Sequence, residues 1–307
     1  MFKNHPKGLV VAFFTNMGER FGFYTMMACL MFFLQARYGL SADKAGDYYS
    51  WFYFLIYALA LLGGFIADKT QNYKRTIFVG IVTMLGGYIL MSIPRLGLSV
   101  SLVALLIIAL GNGLFKGNLQ AVVGQLYDDP KYTPLRDSAF SLFYMGINIG
   151  AFFAPSAANG IRNWFLSTRG YIYDADLPAL CNNFLAEKPV DMAVLQELAN
   201  KVKGETVLEL EPFVKDYIDV FSTGYNYAFG IAAAAMVISF LVYFFFGKIL
   251  PNKQKAAGAK TITLSEKPWA LPIALVGAGI FALLIMLIRD LLTGLAIGLF
   301  VGFVIWI

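Results

Sequence analysis

The sequence predicts an all-α, polytopic membrane protein, a six-helix bundle followed by a two-helix hairpin. Three observations predict this. Hydrophobic residues make up 59% of the 307-residue chain and charged residues only 14%, against about 25% charged in soluble domains. The chain also carries 28 Phe and 17 Tyr, more apolar surface than a compact soluble fold could hide. Finally, several runs reach the roughly 18–20 residues needed to cross about 30 Å of hydrocarbon.

The apolar segments fall at about 8–35, 48–67, 76–93, 99–126, 138–160, 223–247, 269–288 and 291–307. The first begins with the basic stretch "MFKNHPKGLVV" but has no small-residue cleavage pattern after it, so it is a retained span and not a signal peptide. The last two need an argument. One helix over 269–307 would be roughly 58 Å long, too long for one crossing. Arg289, Asp290, Thr293 and Gly294 interrupt the run, which predicts a hairpin. The expected organisation is a bundle over 1–250 with 161–222 inserted between its fifth and sixth helices, a cytoplasmic linker over 251–268, and a transmembrane hairpin over 269–307. The ending "LFVGFVIWI" has no polar flank, which suggests a truncated chain.

Lysine and arginine placement sets the expected orientation. One set of alternate connections holds Lys3, Lys7, Lys69, Lys74, Arg75, Lys131 and Arg136, then Lys248 and the lysines after it. The other holds Arg37, Lys44, Arg95 and Arg289. The richer side is cytoplasmic, which places the N-terminus inside and 161–222 outside. The same basic loops account for the net charge of +5 without nucleic acid. Within 161–222, "DMAVLQELANKVKGE" has apolar residues at 194, 195, 198 and 202, the spacing of an amphipathic helix. A small folded cap and a partner-binding domain are the two readings of that region. Cys29 lies in an apolar run and Cys181 in the polar loop, so no disulfide framework is expected.

The first segment contains "NMGERFGFY". On a helix Asn16, Glu19, Arg20, Phe23 and Tyr24 fall within an arc of about 140°. A charge at mid-bilayer costs at least about 2.5–3.5 kcal/mol, so such residues face a bundle interior or a wet cavity. Either a structural ion pair or an ion and substrate pathway would place them there. Segment four, "GNGLFKGNLQ", puts Lys116 well inside the membrane, too deep for its stem to snorkel to either surface. Asn112 and Asn118 lie nearby, and Gly111, Gly113 and Gly117 would let a neighbouring helix approach closely. Glu19, Arg20 and Lys116 leave one positive charge over, which suits an anionic group such as a carboxylate. Segment five carries Asn148 between Gly146 and Gly150, readable as an interhelical hydrogen bond or a ligand contact. Tyr57 is open in the same way. In "GGFIADKTQNYKRTI", Asp68 ends one helix and Asn72 occupies a turn position that tolerates left-handed dihedrals. The lone His5 lies outside the apolar segments, and neither a Ser-His-Asp nor a metal-ligand constellation occurs. An enzyme is not expected, nor a metal or another cofactor.

Together these stretches resemble the proton-dependent oligopeptide transporter family of the major facilitator superfamily. The family's first helix carries E-x-x-E-R-F-x-Y-Y, which lies over "NMGERFGFY". Its second loop is similar to "GGFIADKTQNYKRT", its fourth helix has "GNGLFKxN" over Gly111 to Asn118, and its fifth has "FYMxINxG" over Phe143 to Gly150. The resemblance covers about 8–160 and 223–247. It implies a symporter of protons with di- and tripeptides, embedded in lipid, in a bacterial cytoplasmic (inner) membrane. It also implies Glu19 as the protonatable coupling group with Lys116 as its cross-helix partner and Arg20 beside them. Arg20, Tyr24, Tyr57, Lys116, Asn118 and Asn148 would line the peptide site. The hairpin 269–307 is similar to the two extra helices of bacterial members, and the C-terminal six-helix half would be absent.

Two positions depart from the family. Its first Glu is Asn16 here, leaving fewer proton-binding groups, and its first motif Tyr is Phe23, removing a hydroxyl. A carrier for another small anionic or zwitterionic solute shares the same scaffold features. A non-transporting receptor built on a transporter scaffold is a further alternative, supported by 161–222 alone.

Overall fold

A computed structural model describes residues 2–251, together with Gly298 and Gly302. Met1–Lys253 forms one compact unit and Gln254–Ile307 another; the helices below all belong to the first. Apart from Pro251, Gly298 and Gly302, the expected linker and hairpin lie outside the described residues.

In chain order the helices are α1 (Lys7–Tyr38), α2 (Ala42–Thr70), α3 (Tyr73–Ser92), α4 (Leu98–Gln125), α5 (Arg136–Thr168), α6 (Leu177–Leu185), α7 (Met192–Lys203) and α8 (Leu210–Phe246). Among the described residues there is no strand. Helices α2, α3, α4, α5 and α8 are each long and apolar enough to cross a membrane. α1 is 32 residues long but less apolar, because Asn16, Glu19 and Arg20 occupy its middle. The six expected segments of the bundle correspond to α1–α5 and α8.

Local signals set the helix ends. α1 stops at Gly39, whose φ of 61° is left-handed, a conformation open to glycine without steric penalty. Ser41 caps α2 by accepting from the Lys44 N–H. The α2–α3 turn corrects one expectation. Gln71, not Asn72, takes the left-handed conformation, with φ 53°. Asn72 is at φ −127° and caps α3 by accepting from the Arg75 N–H. Capping uses the Asn side chain as an acceptor, which competes with its use as a left-handed turn residue.

The bundle consists of two three-helix groups. α1 packs on α5 and α8, α4 packs on α2 and α3, and α3 meets α8 to join them. Small residues set the spacing. A Cβ on Gly63 would run into the Gly113 carbonyl, and one on Gly80 would lie 2.7 Å from the Gly111 carbonyl, so α2, α3 and α4 touch backbone to backbone. Gly146 packs on Phe13 and Gly150 on the Met17 carbonyl, which seats α5 on α1. Gly117 departs from expectation: a Cβ there would meet nothing within 4 Å, because its face of α4 carries no neighbour within this unit. Polar side chains bridge the groups: Asn226 donates to the Met91 carbonyl at 2.8 Å and Tyr243 to the Lys74 carbonyl at 2.9 Å. Within the first group, Ser239 of α8 donates to the Thr15 carbonyl of α1 at 2.9 Å.

The insert is folded. α5 runs on to Thr168, and α8 begins at Leu210, well before the apolar run at 223. The extension of α8 carries Phe213, Val214, Tyr217, Ile218 and Phe221, all buried and spaced at three and four residues, so the helix continues as an amphipathic one. Against it lie Tyr171, Leu177, Cys181, Leu195, Ala199 and Val202, also buried. The expected amphipathic helix is α7, although Val194 turns outward and Ala199 inward. Asp174 ties the start of α6 by accepting from the Asp176 and Leu177 N–H groups at 3.0 and 3.2 Å and from Lys201 at 3.0 Å. Burial alone would push its carboxyl up. The Lys201 ammonium and the two backbone donors outweigh that and hold it below the ordinary carboxylate range.

Candidate functional site

Glu19 and Arg20 are adjacent on α1 and both buried, Glu19 completely. They form a two-pronged ion pair: Arg20 Nε donates to Glu19 Oε2 and Nη2 to Oε1, each at 2.6 Å. Asn112 on α4 donates its amide to Glu19 Oε1 at 2.8 Å. The backbone contact of Gly111 with α3 and of Gly113 with α2 brackets Asn112, holding it in reach of α1. Arg20 also lies over the Phe23 ring, 4.6 Å from its centre, where the guanidinium meets the negative ring face. Phe23 therefore packs against the cation even without the hydroxyl.

Glu19 is thus paired with Arg20 and Asn112 here and not with Lys116. Lys116 is half-buried, with its ammonium 4.7 Å from the centre of the Tyr57 ring. Lys116 takes part in none of the ion pairs among the described residues. The excess positive charge expected from the sequence is therefore this ammonium. Tyr57 is 48% exposed, and its hydroxyl meets that of Tyr53 at 3.2 Å; Tyr53 in turn stacks on Tyr49. Tyr24 is half-buried and Asn148 is exposed. Asn118 is different. It is buried and donates to the Gly63 carbonyl on α2 at 3.0 Å and to its own Leu114 carbonyl at 2.8 Å. Its amide fastens α4 to α2 at the Gly63–Gly113 contact.

Two residues of this cluster carried no assigned role in the sequence reading. Asn112 stands one turn before Lys116 in "GNGLFK", and that spacing was the available signal. Tyr88 on α3 is fully buried, and the charges of Glu19 and Arg20 both act on its hydroxyl. Nothing in "GGYILMS" distinguishes it from other membrane tyrosines. The Tyr88 hydroxyl, Asn112 Oδ1 and Asn16 Nδ2 are buried without hydrogen-bond partners among the described residues. Orphaned polar atoms this close to an ion pair are the groups that buried water satisfies.

A sequence model of the POT family matches residues 74–269, so the α1 motif lies ahead of the match. A dipeptide and tripeptide permease B of Salmonella typhimurium is 36% identical over 160 residues, covering 52% of this chain and 32% of the permease. A di-/tripeptide transporter of Lactococcus lactis is 37% identical over 163 residues, covering 50% of this chain and 32% of the transporter. Among solved structures, a peptide transporter POT in complex with sulfate aligns with a TM-score of 0.57 at 27% identity, covering 93% of this chain and 47% of that one. The chain thus spans about a third of the length of these curated relatives. Its spans and its kinship mark it as an integral membrane protein of a transporter family and not an enzyme. The chain belongs to the POT family.

Proposed function

We propose that this chain is the N-terminal part of a proton-coupled symporter that imports di- and tripeptides. One observation carries the reading. A buried carboxylate, Glu19, occupies both prongs of a buried guanidinium while a second cation, Lys116, has no ion-pair partner among the described residues and lies beside an exposed tyrosine. While Glu19 is ionised, it competes with any other anion for Arg20. A proton on Glu19 removes the competing charge and frees Arg20 for a peptide carboxylate, with Lys116 as the second cation. Proton and peptide then favour each other's binding, and linkage makes that coupling reciprocal. Asn112 holds Glu19 in place. Tyr24, Tyr57 and Asn148 line the site, and Asn118 positions α4. Polar groups exposed on a membrane bundle face water or another protein body. The face with Tyr53, Tyr57, Lys116 and Asn148 is accordingly where a C-terminal half closes the site.

The kinship to the dipeptide and tripeptide permease and the di-/tripeptide transporter above supports the peptide class. Charge asymmetry of the loops supports an N-terminus inside and 161–222 outside a bacterial cytoplasmic (inner) membrane.

The test is Glu19→Gln in the complete protein. Uptake of labelled dipeptide driven by a pH gradient should be lost, while exchange of peptide across the membrane without a gradient persists. Gradient-driven accumulation in the variant would move coupling away from Glu19. Competition by free amino acids or nitrate stronger than by dipeptides would favour the carrier for another small solute.

A further inference from the structure

A partly open cavity of about 270 Å³ lies where the folded insert meets the bundle, away from the Glu19–Arg20 cluster. It lies between the end of α1, the turn into α2, α6 and α8. Its residues begin at Phe32 and Gln35 on α1, about 20 and 24 Å along the helix from Glu19. Its size falls just below the roughly 300–1,000 Å³ usual for small-molecule sites, which restricts it to a small ligand.

Its wall is built. Asn182 on α6 donates to the Gln35 and Ala36 carbonyls at 3.2 and 3.1 Å, fixing the insert on the end of α1. Beneath the wall lies Arg162 of α5, only 5% exposed. Gly224 makes room for it, since a Cβ there would come within 3.1 Å of its Cγ. Arg162 donates to the Asn163 side chain at 2.9 and 3.1 Å and to the Tyr225 hydroxyl at 3.3 Å. It stacks 3.9 Å from the centre of the Tyr173 ring. Among the described residues it has no carboxylate partner, and a desolvated cation without one is costly.

The lining has the matching polarity. It holds no Asp or Glu among the described residues and one cation, Lys188. Among the described residues, Tyr225 accepts from Arg162 and gives its own proton to no partner, and the Asn183 side chain makes no hydrogen bond. Both line the cavity, as do the rings of Phe32, Tyr173 and Phe221.

We propose that this cavity binds a small carboxylate-bearing molecule with an apolar body. Tyr225, Asn183 and Lys188 take the carboxylate, and Phe32, Tyr173 and Phe221 take the body. Arg162 acts through Tyr225, polarising its hydroxyl toward donation. The site lies between the insert and the bundle and is separate from the Glu19–Arg20 cluster.

The test is equilibrium binding of radiolabelled phenylacetate to the complete protein in detergent, which requires no transport and so stands apart from the symport reading. The expected result is saturable binding that survives Arg20→Ala. Tyr225→Phe and Asn183→Asp should each weaken it at least fivefold at unchanged thermal midpoint. Asn183→Asp is the deciding variant if Tyr225→Phe does not fold, because it places a carboxylate in the lining at a partly exposed position. No saturable binding, binding untouched by Asn183→Asp, or binding lost with Arg20→Ala would each overturn the proposal.

Discussion

Alanine at Gly63 and alanine at Gly64 should change stability in opposite directions, although the two residues are neighbours on α2. At Gly63 the new Cβ collides with the Gly113 carbonyl and lies 2.9 Å from the Leu114 Cα. Backbone atoms of α4 cannot rotate away as a side chain could. The two helices must part by about 1 Å, and a gap of that size forfeits a quarter to a half of each contact's dispersion energy. Overpacking of this kind costs about 1–3 kcal/mol. The separation also strains the Asn118 bond to the Gly63 carbonyl, worth about 0.5–1.5 kcal/mol. The two together give a loss of about 1.5–4.5 kcal/mol. At Gly64 nothing among the described residues lies within 4 Å of the new Cβ. There the helix preference of Ala over Gly acts alone, a gain of about 0.5–1 kcal/mol. Thermal denaturation of the detergent-solubilised protein, followed by the surviving monodisperse fraction, reads both. A midpoint for Gly63→Ala equal to or above that of the parent would refute the backbone contact between α2 and α4.

Three further outcomes follow from individual contacts. Asn112→Leu removes the amide donor to Glu19, a bond to a charged group worth about 1.5–3 kcal/mol; proton-driven dipeptide uptake should fall at least about tenfold, and unchanged uptake would remove Asn112 from the coupling group. Asp174→Ala should destabilise the insert by about 1.5–3 kcal/mol at neutral pH. Because the Asp174 carboxyl is held below its ordinary range, its contribution is full above the unfolded value near pH 3.9 and disappears as pH falls through the lower folded value. Hydrogen exchange of α6 should therefore separate parent from variant at pH 6 and converge toward pH 3, and a constant gap would refute the assignment. Cysteine placed at the exposed Leu208 should react with an impermeant maleimide added outside intact cells; reaction only after lysis would reverse the proposed topology.

The sequence by itself determined the class of structure and the region of the site, because both follow from a cost that belongs to the residue and the bilayer. Glu19, Arg20 and Lys116 must avoid hydrocarbon whichever helix lies beside them, so their grouping in apolar runs was informative without coordinates. Tertiary structure decided who meets whom. Each residue turns a helix by about 100°, so partner choice depends on helix rotations set by close contacts elsewhere. Gly111 and Gly113 press α4 against α3 and α2, which turns Asn112 toward Glu19 and leaves Gly117 with no neighbour. Arg20, adjacent in sequence, then takes the carboxylate that the resemblance had given to Lys116. Asn118, read as a candidate ligand contact, became a fastener because the same packing set it against the Gly63 carbonyl. The burial of Arg162 was likewise invisible in the sequence. It stands near the end of a span, where a cation ordinarily reaches water, and only the folded insert covers it, with Tyr173 stacked on it beside Tyr225 of α8.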